Sequence, residues 1–165
     1  MLVSAVGVSG RVVFSFLPSW IGRRACGQLQ GFGIAVTLAL AGLTYGQVYA
    51  GFPVFVGFLA AAALFFDGGF ANMSPHTAES FPVRLSARGV GLGQSANGIG
   101  KVIGPACLAL IAGTSNYITP QATADAILPA FMFIAACGLA VGLSFSFFAK
   151  ETLGKPLVVV ESKAE

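Results

Sequence analysis

The chain contains one long uncharged stretch, Ala25–Phe66, which reads ACGQLQGFGIAVTLALAGLTYGQVYAGFPVFVGFLAAAALFF. A single membrane-spanning helix needs about 20 apolar residues, so a stretch of this length predicts two consecutive spans. Glycine, glutamine, tyrosine and proline gather in its middle, at residues 46–53, and predict the turn that separates the two spans. The stretch therefore indicates a helical hairpin in a membrane.

The composition of the whole chain agrees with this interpretation. Of its 165 residues, 56% are hydrophobic and 9% are charged, whereas an average soluble domain carries about 25% charged residues. This balance excludes a soluble monomer, and it also excludes a disordered chain, which would be poor in apolar residues. We predict an all-α membrane protein, a multi-pass transmembrane helix bundle of about four full spans and one partial N-terminal span. The full spans are expected at 28–46, 53–75, 89–112 and 126–149, and the partial span at 1–18.

The basic residues lie at alternate ends of the predicted spans. The connections 47–52 and 113–125 contain no lysine or arginine, whereas seven bases lie in the other connections and after the last span. These seven are Arg23, Arg24, Arg84, Arg88, Lys150, Lys155 and Lys163. Because excess positive charge marks the cytoplasmic side, we predict a cytoplasmic tail at 150–165 on a multi-pass protein of a plasma or bacterial inner membrane.

Polar residues inside the predicted spans are candidates for function. Asp67 lies deep in the span 53–75, where a carboxylate costs several kcal/mol unless it is paired, hydrated or protonated. It is therefore a candidate proton-binding site, and the alternative is a structural carboxylate bonded to neighbouring helices. Asn72, in the same span, is a further candidate for a solute or proton pathway.

A second polar group, formed by Gln94, Asn97 and Lys101, lies in the span 89–112. At 100° per residue, the three residues fall within about 60° on one face of a helix. That face is expected to look into the bundle or into a water-filled path. Lys101 is expected either to pair with Asp67 or to neutralise an anionic substrate, and the alternative is a lysine that snorkels to the cytoplasmic interface.

Glycine is abundant in the predicted spans, and the chain has 22 glycines in all. Gly100 and Gly104 form one GxxxG pattern, and Gly138 and Gly142 form another. This pattern allows helices to approach closely in lipid, so the two matches together favour a tightly packed bundle.

Motifs for metal, cofactor or nucleic-acid binding are weak or missing. His76 is the only histidine and the three cysteines are widely spaced, so neither a metal site nor a cofactor is expected. The bases form no stripe with interleaved aromatic residues, which disfavours a nucleic-acid partner. Gly7-Val-Ser9-Gly10 matches the GxSG pattern of rhomboid-type intramembrane proteases, with His76 as the available base, and leaves an intramembrane serine hydrolase as a third alternative.

Four segments of the sequence resemble conserved loops of the major facilitator superfamily. Leu17–Arg24, LPSWIGRR, resembles the GRR loop between helices eight and nine, and Thr77–Gly91, TAESFPVRLSARGVG, resembles the loop between helices ten and eleven. Gly100–Pro105, GKVIGP, continues the second match, and Glu151–Lys155, ETLGK, resembles the ETKGR signature after helix twelve. Their order and spacing follow the sugar-porter and metabolite–proton symporter branches.

This resemblance implies what the bundle at 1–149 is and what it does. The bundle would comprise the end of helix eight and helices nine to twelve, so the chain would be most of the C-terminal half of a truncated twelve-helix carrier. The implied function is secondary active, proton-coupled transport of a small solute, and not an enzymatic reaction. The implied partners are membrane lipid, the solute with its protons, and the missing N-terminal half or another copy of the chain. The alternative is a small multi-span membrane subunit or oligomeric carrier.

The resemblance also assigns a gating role to charges at the cytoplasmic side. In the family such charges latch the closure of the inner gate, and a network present in only one state biases the equilibrium between two states. The alternative is that these residues only satisfy the positive-inside rule. The matching residues are Arg23, Arg24, Glu79, Arg84, Arg88 and Glu151.

Overall fold

The computed structural model describes residues 2–112 and 120–154, and it confirms the predicted all-α helix bundle. Part of the predicted connection 113–125, and the tail beyond Gly154 with Lys155 and Lys163, lie outside the described residues. The helices are α1 (Leu2–Phe16), α2 (Pro18–Ile21), α3 (Arg23–Leu43), α4 (Val54–Ser80), a 3-10 turn (Val83–Leu85), α5 (Ser86–Ala112) and α6 (Pro120–Phe147).

The predicted spans lie on these helices, with shifted ends. The helix α3 begins five residues before the expected start at 28, and α4 continues five residues beyond the expected end at 75. Pro75 lies inside α4 and does not end it, and membrane helices in general tolerate proline.

Three of the described helices are both long and apolar enough to cross a membrane: α3, α4 and the part Asp125–Phe147 of α6. The helix α5 lies on the predicted span 89–112, and Gln94, Asn97 and Lys101 interrupt its apolar sequence.

The predicted turn between the first two full spans is present as a tight hairpin. Two short strands, β1 (Val48–Tyr49) and β2 (Phe52–Pro53), pair antiparallel, and Val48 lies opposite Pro53. The two residues between the strands, Ala50 and Gly51, both have positive φ, of 51° and 79°. Positive φ at both central residues is typical of the type I′ turn, whose twist matches that of the flanking strands.

The helix α3 lies at the centre of the packing, against α6 on one side and α4 on another, while α1 packs against α4. The crossing of α3 and α6 is close because Gly31 meets the backbone of Gly142, where any Cβ would collide. The Gly138–Gly142 pattern therefore lies in a helix contact, as predicted. For Gly100 and Gly104 the prediction is wrong within the described residues, since nothing lies within 4 Å of the places a Cβ would take.

Few of the described side chains are fully buried, and the core that they form is small. Leu38, Ala62 and Ala135 form it where α3, α4 and α6 meet. Large apolar side chains such as Leu92 and Leu110 of α5, exposed by 72% and 79%, cover the outer surfaces instead. Such exposure costs little in a bilayer, because lipid tails are as apolar as leucine.

Candidate functional site

The antiparallel order of the long helices brings four predicted gate residues to one end of the bundle. The start of α3 carries Arg23 and Arg24, the end of α4 carries Glu79, and the segment after α6 carries Glu151. We call this end the basic end, and we call these four residues together with Thr152 the terminal cluster.

The strongest contact of the terminal cluster joins Arg23 to Glu79. The guanidinium Nε and Nη2 of Arg23 donate to the two carboxylate oxygens of Glu79, over 2.5 and 2.6 Å. The hydroxyl of Thr152 donates to the same carboxylate, over 2.7 Å. The side chains of Arg23 and Glu79 are 21% and 28% exposed, so the pair is largely shielded from solvent. A forked and shielded arginine–carboxylate pair is among the stronger polar contacts in proteins.

The carboxylate of Glu151 binds the beginning of α3. It accepts the backbone N–H groups of Arg23 and Arg24 over 2.9 and 3.2 Å, and those of Thr152 and Leu153 over 3.0 Å each. The first turn of a helix has N–H groups without partners inside the helix and a partial positive charge, and a carboxylate satisfies both. Burial raises the pKa of Glu151, but these four hydrogen bonds outweigh burial, so its pKa lies below the ordinary glutamate value.

Arg24 makes the complementary contact at the end of α6. Its Nε donates to the carbonyl oxygen of Phe145 over 3.2 Å, and its Nη2 donates to that of Ser146. The last carbonyls of a helix carry partial negative charge, which a guanidinium stabilises. The sequence predicted a network of charges paired with charges, whereas Arg24 and Glu151 instead bind the ends of helices.

Two further residues of α4 complete the basic end. Asn72, a predicted pathway residue, is fully buried between α4 and α3, where its Nδ2 donates to the backbone oxygen of Arg23 over 3.1 Å. The ring of His76 packs 5.4 Å from that of Phe145, and both line a cleft of about 870 Å³ beside the terminal cluster. Asn72 therefore lies in the packing that holds Arg23 in place.

The remaining predicted residues lie apart from the terminal cluster. Arg84 and Arg88 are exposed, and they form no ion pair with any residue of the described ranges. On α5, Gln94 and Lys101 are exposed and Asn97 is half-buried. Of the alternatives for Lys101, the pairing with Asp67 is wrong, because Asp67 has a different partner.

That partner is Arg11, and the two residues form what we call the mid-helix pair. The Nη2 and Nε of Arg11 approach the same oxygen of Asp67, at 2.7 and 3.3 Å. Asp67 is the central residue of α4, and about 18 Å of helix separate it from Glu79 at 1.5 Å per residue. The side chain of Arg11 is 58% exposed, against 26% for Asp67, and its guanidinium lies over the ring of Phe70 at 5.7 Å.

Sequence reasoning missed Arg11 and Thr152. Arg11 is the only charged residue of α1, and Asp67 is the only charged residue of the predicted span 53–75. Two isolated charges of opposite sign in apolar segments could have indicated that they pair. Thr152 belongs to the ETLGK segment that resembles the family signature, but its contact with Glu79 depends on how the chain turns after α6.

The GxSG serine is not arranged for catalysis in this structure. The hydroxyl of Ser9 donates to the carbonyl of Val6 in its own helix, over 2.7 Å. His76 lies at the basic end, in contact with Phe145. The two residues therefore do not form the hydrogen-bonded pair of nucleophile and base that a serine hydrolase needs.

Long apolar helices, an ion pair in the middle of one of them and charges concentrated at one end define a multi-pass helical protein of the membrane. The family described as "Sugar (and other) transporter" matches residues 1–163. The chain thus belongs to this transporter family of the major facilitator superfamily, and its function is transmembrane transport of a sugar or another solute. No curated protein and no solved structure shows a significant match.

Proposed function

We propose that the chain acts in proton-coupled secondary transport of a small solute, with Asp67 as the residue that carries the proton. The observation behind this proposal is the mid-helix pair, an isolated ion pair halfway along a membrane helix. Membrane proteins seldom place ionisable residues there, and those they do place commonly belong to a path for ions or substrate.

The ion pair provides a physical route to coupling. While Asp67 is ionised, its attraction to Arg11 holds α1 against α4. A proton on the carboxylate removes that attraction, so proton uptake and separation of the pair favour each other. In a two-state carrier, a proton that binds one state better than the other shifts the equilibrium towards that state. Gln94, Asn97 and Lys101 are proposed as further polar lining of the path.

The terminal cluster is proposed as the latch that closes the basic end in one of the two states. It connects the ends of α3, α4 and α6 through hydrogen bonds that all have to break if these ends separate. We propose Asn72 as the residue that positions Arg23, and Arg84 and Arg88 as partners of another state. In this proposal the basic end is cytoplasmic, and α1 to α6 correspond to helices eight to twelve of the superfamily.

The proposal is tested in proteoliposomes that contain the transporter, with a proton gradient as the only driving force. Labelled glucose and benzoate serve as the trial solutes. Asp67→Asn is expected to abolish uptake driven by the gradient while leaving solute exchange without a gradient intact. Because a misfolded protein would lose both activities, loss of driven uptake with exchange retained shows a loss of coupling.

The matched control is Ser15→Ala on α1, because within the described ranges the hydroxyl of Ser15 bonds only to a carbonyl of its own helix. It should preserve both uptake and exchange. If Asp67→Asn transports as well as the unmodified protein under the gradient, Asp67 is not the coupling residue.

A further inference from the structure

The guanidinium of Arg11 has binding capacity that the described residues do not use. Both of its described hydrogen bonds go to one oxygen of Asp67, although a guanidinium has five N–H donors. More than half of the Arg11 side chain is open. A charged group exposed to hydrocarbon costs several kcal/mol, so this open face is the side that meets water or a polar ligand.

The contact with Asp67 shows which chemical group this guanidinium binds. A carboxylate oxygen lies 2.7 Å from Nη2, within the usual range for a charge-assisted hydrogen bond. The second oxygen of Asp67 lies flush against Gly7 of α1, at a place where any Cβ would overlap it. Asp67 therefore lies against the backbone of α1 as well as against Arg11.

We propose that Arg11 binds the carboxylate of a monoanionic solute, which takes the place of the Asp67 carboxylate when Asp67 is protonated. This inference rests on the proposed proton coupling and names the class of solute. The charges balance in both conditions. Arg11 with ionised Asp67 is neutral, and Arg11 with protonated Asp67 and one carboxylate solute is neutral as well.

Aromatic rings beside Arg11 favour a solute with an apolar body. Phe70 lies under the guanidinium, and Phe66 meets Phe70 edge to face with 5.6 Å between the ring centroids. The two rings are 44% and 58% exposed, next to the open face of Arg11. A carboxylate on Arg11 would therefore place the rest of the solute against an aromatic surface.

The test measures binding of labelled benzoate to the whole chain in lipid nanodiscs at neutral pH, without any gradient. Benzamide, its uncharged counterpart, and glucose are measured in parallel. Asp67→Asn removes the internal competitor and keeps the shape of the side chain, so it should bind benzoate at least about twofold more tightly than the unmodified chain. Arg11→Gln should lose saturable benzoate binding, and Ser15→Ala should bind as the unmodified chain does. Benzamide should bind weakly in every variant.

Three results would overturn the inference: benzoate binding that survives Arg11→Gln, no gain with Asp67→Asn, or no benzoate binding in any variant. If glucose binds saturably and benzoate does not, the third of these results holds and the solute is not a carboxylate, yet proton-coupled transport is left standing. Failure of the proposed function shows separately, as gradient-driven uptake that persists in Asp67→Asn.

Discussion

The terminal cluster and the mid-helix pair use the same chemistry, an arginine beside a carboxylate, in opposite surroundings. In the terminal cluster, Glu79 accepts hydrogen bonds from Nε and Nη2 of Arg23 and from the hydroxyl of Thr152. The side chains of Arg23 and Glu79 are mostly covered. In the mid-helix pair, one oxygen of Asp67 takes both contacts, and Arg11 is mostly open. The first arrangement suits a contact that holds, and the second suits a contact that exchanges partners.

The difference follows from how many groups must lose a partner when each contact breaks. Opening the terminal cluster leaves a shielded guanidinium and the N–H groups of a helix end without acceptors, and each such loss costs about 1–3 kcal/mol. Separating the mid-helix pair frees a guanidinium whose surface is already largely open. Stability is therefore expected to depend on the basic end, and transport on the middle of the helices.

Double-mutant cycles on the two pairs provide the largest expected contrast. Arg23→Gln with Glu79→Gln should give a coupling energy of about 2 kcal/mol, because the pair is forked and shielded. Arg11→Gln with Asp67→Asn should give about 0.5 kcal/mol, the range of an exposed pair. Reversible unfolding in mixed detergent micelles measures both. Equal coupling energies would remove the distinction between the two regions.

The second prediction concerns Glu151 and pH. Glu151→Gln should lower the free energy of unfolding by about 1.5 kcal/mol at neutral pH, because an amide replaces one of the two oxygens that accept the N–H groups of α3. Since the pKa of Glu151 is lowered in the folded chain, its stabilisation is complete above the ordinary glutamate pKa of about 4.3. It is lost as pH falls through the lowered value.

Unfolding measured across acidic pH checks this prediction. The difference between the unmodified chain and Glu151→Gln should shrink below about pH 4. Asp125→Asn is the matched control, because Asp125 is an exposed acid at the other end of α6. A difference that stays constant down to the lowest pH would show that the carboxylate charge of Glu151 does not stabilise the start of α3.

The smallest effect is expected for Arg24. Arg24→Gln should cost about 0.5–1 kcal/mol, the usual range for a cation at the end of a helix. Arg84→Gln removes the same charge from the same end of the bundle, but from a residue that contacts no acid in the described ranges, so it should cost less. Thermal unfolding of the two variants side by side compares them. If they are equally destabilised, net charge matters at the basic end and the carbonyl contacts of Arg24 do not.

The sequence was sufficient for the helix bundle because hydropathy and length determine membrane spans almost without reference to packing. The sequence also predicted that Arg23, Arg24, Glu79 and Glu151 lie at one end of the bundle, because antiparallel spans place every second connection on the same side. The predicted start of α3 and the predicted end of α4 were less accurate. Both helices continue past the expected boundary into the contacts of the terminal cluster, which are made by residues distant in sequence.

Partner choice was the part that sequence could not decide. Arg11 and Lys101 were both isolated bases in apolar segments, and only the close approach of α1 to α4 at Gly7 and Gly10 selects Arg11 for Asp67. Likewise, a glutamate at 151 can accept equally well from an arginine side chain and from backbone N–H groups. The outcome depends on a tertiary detail, the place where the segment after α6 meets the start of α3.

The lone lysine inside α5, Lys101, has a consequence for how the protein reaches the membrane. A segment enters the bilayer from the translocon according to its summed transfer free energy, to which lysine contributes unfavourably and glycine contributes little. Lys101 and the glycines of α5 therefore weigh against insertion of this helix on its own. We expect α5 to be retained at the translocon until α4 or α6 accompanies it into lipid, so that biogenesis of this segment is cooperative.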